Sequence, residues 1–440
     1  MKYRLITSFL LICQPIMVAV RAVEFTVNTT LDQLDSNPGD GMCITLKQLC
    51  SLRAAIQESN VLSGYDVVQL PSGVYTLSVL GQDEDQAQTG DLDILDDLII
   101  IGKNRQTTII DGDRIDRIFD ILADTNIQLD LSGLTIQKGK AHGNIINGIG
   151  GAIRLLKTTQ LKLNQVHFKN NQAERGGAIY NEGKVQGQQV LFTENTGSAV
   201  ANEGAQAELI LQKCLFESNQ AAIESTNFDF VTKTRILVSL DQCSIVNNSS
   251  NHGSIIFNNA RTDFTLLNST LSGNGSNQTD GVLFNDNSSR FFIRNSTITD
   301  NQAGGIFEFH HKDSFIFMQN SILANNHGHP TIGINCSLKL TSQGGNYFGD
   351  LTGCEPTLHP SDIVASDDVG LTDLIKLQQP WQQLHLPLKN SPILDAALTI
   401  TCLAVDQLDS TRPQDNDFDG VATCTIGASE ISDVIFLNAF

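Results

Sequence analysis

Between Gly133 and Asn326 the apolar positions fall in short strings, on every second residue, and the strings return at a near-constant interval. The repeated unit is seven residues long. It reads QVHFKNN at Gln165–Asn171, QVLFTEN at Gln189–Asn195, KCLFESN at Lys213–Asn219 and QCSIVNN at Gln242–Asn248. It continues as NSTLSGN at Asn268–Asn274, NSTITDN at Asn295–Asn301 and NSILANN at Asn320–Asn326, after a degenerate first copy, GLTIQKG, ending at Gly139. Successive copies end 24 to 32 residues apart. Residues two and four of the phrase are apolar or small (Val166 and Phe168, Cys214 and Phe216, Cys243 and Ile245), as expected of a strand with one face in a core. The last Asn predicts the corner, because Asn tolerates the left-handed backbone region.

A second phrase follows the first: GGAI at Gly150–Ile153, GGAIYNEG at Gly176–Gly183, GSAVANEG at Gly197–Gly204 and GGIF at Gly304–Phe307. Each repeat therefore carries at least two strands separated by Gly and Asn corners. Stacked repeats would pair strand on strand about 4.8 Å apart and put like side chains above like. This pattern predicts an all-β, single-stranded parallel β-helix, a solenoid, over 66–355. Residues 23–65 form an N-terminal cap, in which Ser51 caps a short helix with Leu52, Ala55 and Ile56 on one face and Asn60 at its end. After Pro356 the composition changes, and Pro380, Trp381, Pro387 and Pro392 predict an irregular C-terminal cap over 356–440.

Residues 1–22 read as a signal peptide: Lys2 and Arg4 precede an apolar run from Leu5 to Val20, with small residues before an expected cleavage after Ala22. No later stretch is apolar enough to span a bilayer. The chain is expected to be exported, to the periplasm, the cell surface or the medium. Removing the leader raises the acidic excess from 20 to 23, which argues against nucleic acid and anionic membrane as partners. Eight cysteines then remain, an even number suited to an oxidising compartment. Local pairing is expected for Cys43 with Cys50, Cys336 with Cys354 and Cys402 with Cys424. Cys214 and Cys243 hold the same phrase position in adjacent repeats, where a disulfide and a pair of stacked thiols both fit.

Several strings together resemble a known family. CSLRAAI at Cys50–Ile56 is similar to the Cys-Ser-Leu-Arg-Glu-Ala-Ile signature of bacterial exported proteins named CSLREA after it, and GDLDILDDLIIIG, TTIIDG and DRIFDI resemble the strings that follow that signature. NSPILDAA (Asn390–Ala397) and the stretch Asp406–Glu430 resemble the choice-of-anchor Q terminal domain. The resemblance implies a right-handed parallel β-helix of the pectin-lyase type, exported or displayed at a surface, and it implies no settled activity.

Candidate chemistry is sparse. The best carboxylate pair is Glu182 and Glu203, at equivalent positions in adjacent NEG phrases and so expected about 5 Å apart, near the spacing of a retaining glycosidase pair. The competing reading is a solvated Glu ladder beside an Asn corner. Arg154, Lys157 and Arg175 are the basic residues that a lyase would call on, with nothing in the sequence placing them beside acids. Asp415-x-Asp417-x-Asp419-Gly420 has the alternating carboxylates and Gly of a calcium loop, but Ile426 stands where the twelfth-position acid is expected. Structural Ca2+ is the cofactor considered there, with Glu430 as a distant further ligand and the Gln82–Asp97 loop as a second place. His310-His311 and His327-Gly328-His329 are expected on exposed corners. The repeats are complete while no catalytic series is recognisable. The sequence therefore favours a non-catalytic exported scaffold contacting extracellular polysaccharide or a host or cell-surface protein. The alternative is a polysaccharide lyase or glycoside hydrolase working in the solenoid groove.

Overall fold

The structure is a computed structural model that describes residues 22–431, except 83, 123–125, 144–147, 228–233, 251–252, 277–280, 303, 309–312, 329–334, 337–338 and 366–367. The leader (save Ala22), His310, His311 and His329 thus lie outside the described residues. The chain winds into a parallel β-helix with three strands per full turn, one beyond the two that the repeated phrases supply. A first sheet stacks twelve strands from Glu24–Thr26 to Thr341–Ser342, and a second stacks nine from Leu92–Ile94 to Ile306–Glu308. A third stacks twelve from Gly73–Thr76 to Ile363–Val364. The seven-residue phrase supplies the third sheet, as in Leu191–Thr193, and the GGAI phrase supplies the second, as in Ile179–Asn181.

Register between turns is one to one, so identical side chains stack. Phe168, Phe192 and Phe216 lie face to face at 5.2 and 4.6 Å between ring centres, and all three are buried. The corner differs from expectation. The last Asn of each phrase does not adopt the left-handed conformation; residues one and six do, as at Gln189 (φ 57°) and Glu194 (φ 58°). Two left-handed residues bracket each short strand and turn the last Asn inward. There Asn195 Nδ2 donates to Asn219 Oδ1 at 2.9 Å, Asn219 to Asn248 at 3.0 Å and Asn248 to Asn274 at 3.0 Å. Each Oδ1 also accepts the backbone amide of the preceding Asn, and each Nδ2 reaches a carbonyl such as Phe192 O. The amide column thus satisfies polar groups that burial would otherwise penalise.

Residue two of the phrase builds a similar column. Cys243 N donates to Ser269 Oγ, Ser269 N to Ser296 Oγ and Ser296 N to Ser321 Oγ. In this column Cys214 and Cys243 are disulfide-bonded, and the three local pairs, Cys43–Cys50, Cys336–Cys354 and Cys402–Cys424, are bonded as well. Four disulfides suit an oxidising compartment. Among the described residues no helix is long and apolar enough to cross a membrane.

At the N-terminal end, α1 (Leu52–Ser59) begins at Ser51, whose Oγ accepts Ala54 N at 3.1 Å. It was expected to bury one face; all eight residues are buried. A loop closes over the polar side, where Glu58 accepts the amides of Gly39 and Gly41 and Gln57 accepts that of Asp35. Beyond Val364 the chain turns back along the outside of the third sheet. Trp381 packs on Leu191, Leu215 and Val246, with the Arg105 guanidinium 5.7 Å from its ring centre. Ser244 Oγ donates to the carbonyls of Trp381 and Gln383, His385 Nε2 meets Ser272 Oγ at 2.7 Å, and Lys213 pairs with Asp409 at 2.8 Å. Ala428 N donates to Thr297 Oγ1.

Candidate functional site

The second sheet presents one outward residue per turn, just after the inward aliphatic of each GGAI-type phrase. Strand register aligns Asp93, Asp120, Arg154, Tyr180, Ala201, Glu224, Phe257 and Phe284 in a single row. The glycines before each strand let the turns close: a Cβ on Gly177 would stand 2.3 Å from Thr196 O. The row runs from acids, through a cation and a phenol, to an acid and a stacked aromatic pair. Phe257 and Phe284 lie 4.7 Å apart and nearly parallel.

Arg175, just ahead of its Gly-Gly, lies beside this row. Its Nη1 donates to both oxygens of Glu203, at 2.6 and 2.7 Å. Tyr180 Oη donates to Glu182 Oε1 at 3.0 Å and lies close enough to Glu203 to feel its charge. Glu182 and Glu203 follow the paired residues Asn181 and Asn202, so they stand one turn apart with the tyrosine between them. Glu203 is 1% exposed. Burial pushes its carboxyl up to about 7, against the opposing pull of Arg175. Burial also raises the Tyr180 phenol, helped by Glu203 and Glu182, and raises Glu224. A phenol so raised is a hydrogen-bond donor and not a base.

A groove of about 400 Å³ opens along this flank, lined by Arg175, Ser198, Gln220, Glu224, Ser254 and Phe257 among others. Glu203 and Glu182 do not line it. Glu203 instead anchors Arg175 from behind, and Arg175 and Glu224 meet the open space. Groups that bind a sugar face (Phe257), an anion (Arg175) and a proton (Glu224) therefore share one concavity. A second hollow, of about 620 Å³, lies on the outside of the first sheet near Ile99, Ile101, Lys162, Gln186 and Ile210. None of the groups with raised protonation lines it.

The acids of the C-terminal loop are divided. Asp415 and Asp417 come together with Asp395, which accepts the amides of Asn416 and Asp417. Asp419 stays outside that group and accepts Val421 N. Glu430 turns away to Arg412, Asn416 and Thr425. Arg154 pairs with Asp120, beside a buried carboxyl group at Asp91, Asp93 and Asp120.

Tyr180, Glu224 and Phe257 escape a reading of the sequence, although a signal was present. Once the second phrase is aligned across turns, the residue after its aliphatic is the outward one at every level.

No family model matches the chain, and no curated protein matches it. The resemblance read at Cys50–Ile56 and Asp406–Glu430 therefore stands on those strings alone. Solved structures similar to the chain include a rhamnogalacturonan lyase, at 13% identity and a TM-score of 0.41, covering 81% of this chain and 91% of that one. Another is a family 28 exopolygalacturonase of Yersinia enterocolitica, at 9% identity and a TM-score of 0.26, covering 71% and 74%. With TM-scores under 0.5 neither likeness carries an argument, and the β-helix architecture rests on the strand pairing itself.

Proposed function

We propose that the protein binds an acidic polysaccharide in the Arg175–Glu224 groove and cleaves it by β-elimination at a uronate. The observation that supports this is Arg175, fixed by two bonds to a buried carboxylate and presented to a groove it shares with Glu224 and an aromatic wall. The guanidinium would offset the uronate carboxylate and so acidify the neighbouring ring C–H. Ionised Glu224 would take that proton as the ring double bond forms and the C–O bond to the leaving sugar breaks. The same carboxyl would then return the proton to the departing oxygen. A carboxylate whose burial raises its pKa is the stronger base for this work.

This reading prefers the expected alternative, a polysaccharide lyase, to the non-catalytic scaffold. The test is incubation with a panel of uronate polymers, following both ultraviolet absorbance of unsaturated ends and release of reducing ends. Both should rise. Reducing ends without unsaturation would reassign the step to hydrolysis, and binding without either would restore the scaffold. Export by the 1–22 leader belongs to the same reading, since such polymers are extracellular. So does a structural calcium at Asp395, Asp415 and Asp417; these half-open acids would hold it only at about millimolar levels, as in extracellular modules.

A further inference from the structure

At the N-terminal end of the second sheet, on the turns that precede the groove, charge is packed out of solvent. Asp91, Asp93, Asp116, Asp120 and Arg117 are each at most 5% exposed. Arg117 Nη1 donates to Asp91 at 3.1 Å and to Asp120 at 3.0 Å, and Arg154 Nε donates to Asp120 at 2.9 Å. Arg53 is matched separately by Asp32 at 2.7 Å, and its other donors serve the carbonyls of Ala87, Gly90 and Asp91. Asp91 and Asp120 touch the guanidinium groups of Arg117 and Arg154, and carboxyls outnumber cations in the cluster, an excess of negative charge that a divalent cation would offset.

A second observation points to a ligand there. Asp93 is 0% exposed, and while its Oδ2 accepts Ala87 N at 2.6 Å, its Oδ1 is buried with no hydrogen-bond partner. A carboxylate oxygen left bare in a dry site is costly unless something positive meets it. One oxygen each from Asp91, Asp93 and Asp120 lies within 4.8 Å of the others. Oxygens that close can share one ion, and a site this dry suits calcium over magnesium, which sheds its waters reluctantly and keeps several of them. The donors are all hard carboxylate oxygens, which suits calcium and not zinc.

We propose that Asp91, Asp93 and Asp120 hold a calcium ion that locks the N-terminal cap onto the solenoid. The three residues join separate pieces. Asp93 sits in the first strand of the second sheet, Leu92–Ile94, and Asp120 in the next, Phe119–Ile121. Asp93 also holds Ala87, whose carbonyl takes hydrogen bonds from Gln57 and Arg53 of the capping helix. One ion there ties helix, loop and two turns. This site stands independently of the groove and its chemistry.

The competing arrangement places protons on Asp91 and Asp93, and a cation assay separates the two. The full chain is gel-filtered in calcium-free buffer and its metal content measured by atomic emission. Thermal unfolding is then followed with calcium, with magnesium and after prolonged chelation. The expected result is one retained calcium per chain and a midpoint lowered by chelation and restored by calcium. Asp93→Asn should lose both the ion and the response, while Asp415→Asn keeps them. Wild-type protein that retains no ion and ignores calcium would overturn the site, as would an Asp93→Asn variant that responds like wild type or full replacement by magnesium. Should Asp93→Asn fail to fold, the wild-type arms decide alone.

Discussion

Arg175 grips Glu203 from the neighbouring turn of the second sheet, one nitrogen donating to both carboxylate oxygens at 2.6 and 2.7 Å. The pair is nearly dry on the glutamate side and partly open on the arginine side, with side-chain exposures of 2% and 22%. Removing the cation leaves Glu203 without its main partner, so Arg175→Ala should destabilise the fold by about 2–4 kcal/mol. It should also weaken polymer cleavage by roughly 100-fold or more, the cost of losing a fixed charge at the reacting centre. Denaturant titration and initial rates check the two effects separately. Arg175→Lys should restore part of the stability, since a single nitrogen makes both bonds to Glu203, and less of the rate, since an ammonium lacks the guanidinium's planar set of donors for a substrate carboxylate.

The same glutamate sets a pH dependence. Its carboxyl rises from the ordinary 4.5 to about 7 in the folded protein, chiefly through burial. Between those values the folded state keeps a proton that the unfolded chain has lost. Stability from this group is therefore present below 4.5 and falls as pH climbs through 7. Glu203→Gln should flatten the decline. Thermal midpoints of both proteins across this window measure it, and parallel slopes would count against it.

Asn219 stands in the middle of the buried amide column. Truncation to Ala would strand the backbone amide of Asn195 and take one of two partners from Asn195 Nδ2, which keeps Phe168 O, and from Asn248 Oδ1, which keeps the amide of residue 219. At about 1–3 kcal/mol for a buried group left unpaired, Asn219→Ala should cost roughly 2–4 kcal/mol, seen as a lower denaturant midpoint.

Serine already occupies the phrase position of Cys214 and Cys243 in later turns, where its Oγ accepts the amide of the turn before. Replacing both cysteines by Ser should therefore preserve the column and remove only the cross-link. The bridge closes 29 residues of chain, so the loss should be about 3–4 kcal/mol by loop entropy. A double Ala variant should lose more, because an amide is then left without its acceptor.

The sequence disclosed the solenoid because its corners and inward aliphatics repeat, and repetition survives without any knowledge of contacts. It misplaced the left-handed residues, because Gln189 and Glu194 carry no compositional mark of a turn while Asn195 does. The groove was harder to see. Phrases recur at unequal steps, and the intervening insertions decide which cation meets which acid, so Arg175 over Glu203 is a fact of register. Asp395 joins Asp415 and Asp417 from about 20 residues away, which no local spacing rule anticipates. Trp381 read as part of an irregular tail, since its apolar partners are outward residues of three separate turns.

The strap formed by that tail alters how the whole rod comes apart. A stack held only between neighbours melts piecemeal, each layer fraying on its own. Here Lys213, Ser244, Ser272 and Thr297, from four consecutive layers, are all fastened to one returning segment. Peeling away any of those layers must first dislodge the fastening of the others, so the middle of the rod should yield as a block.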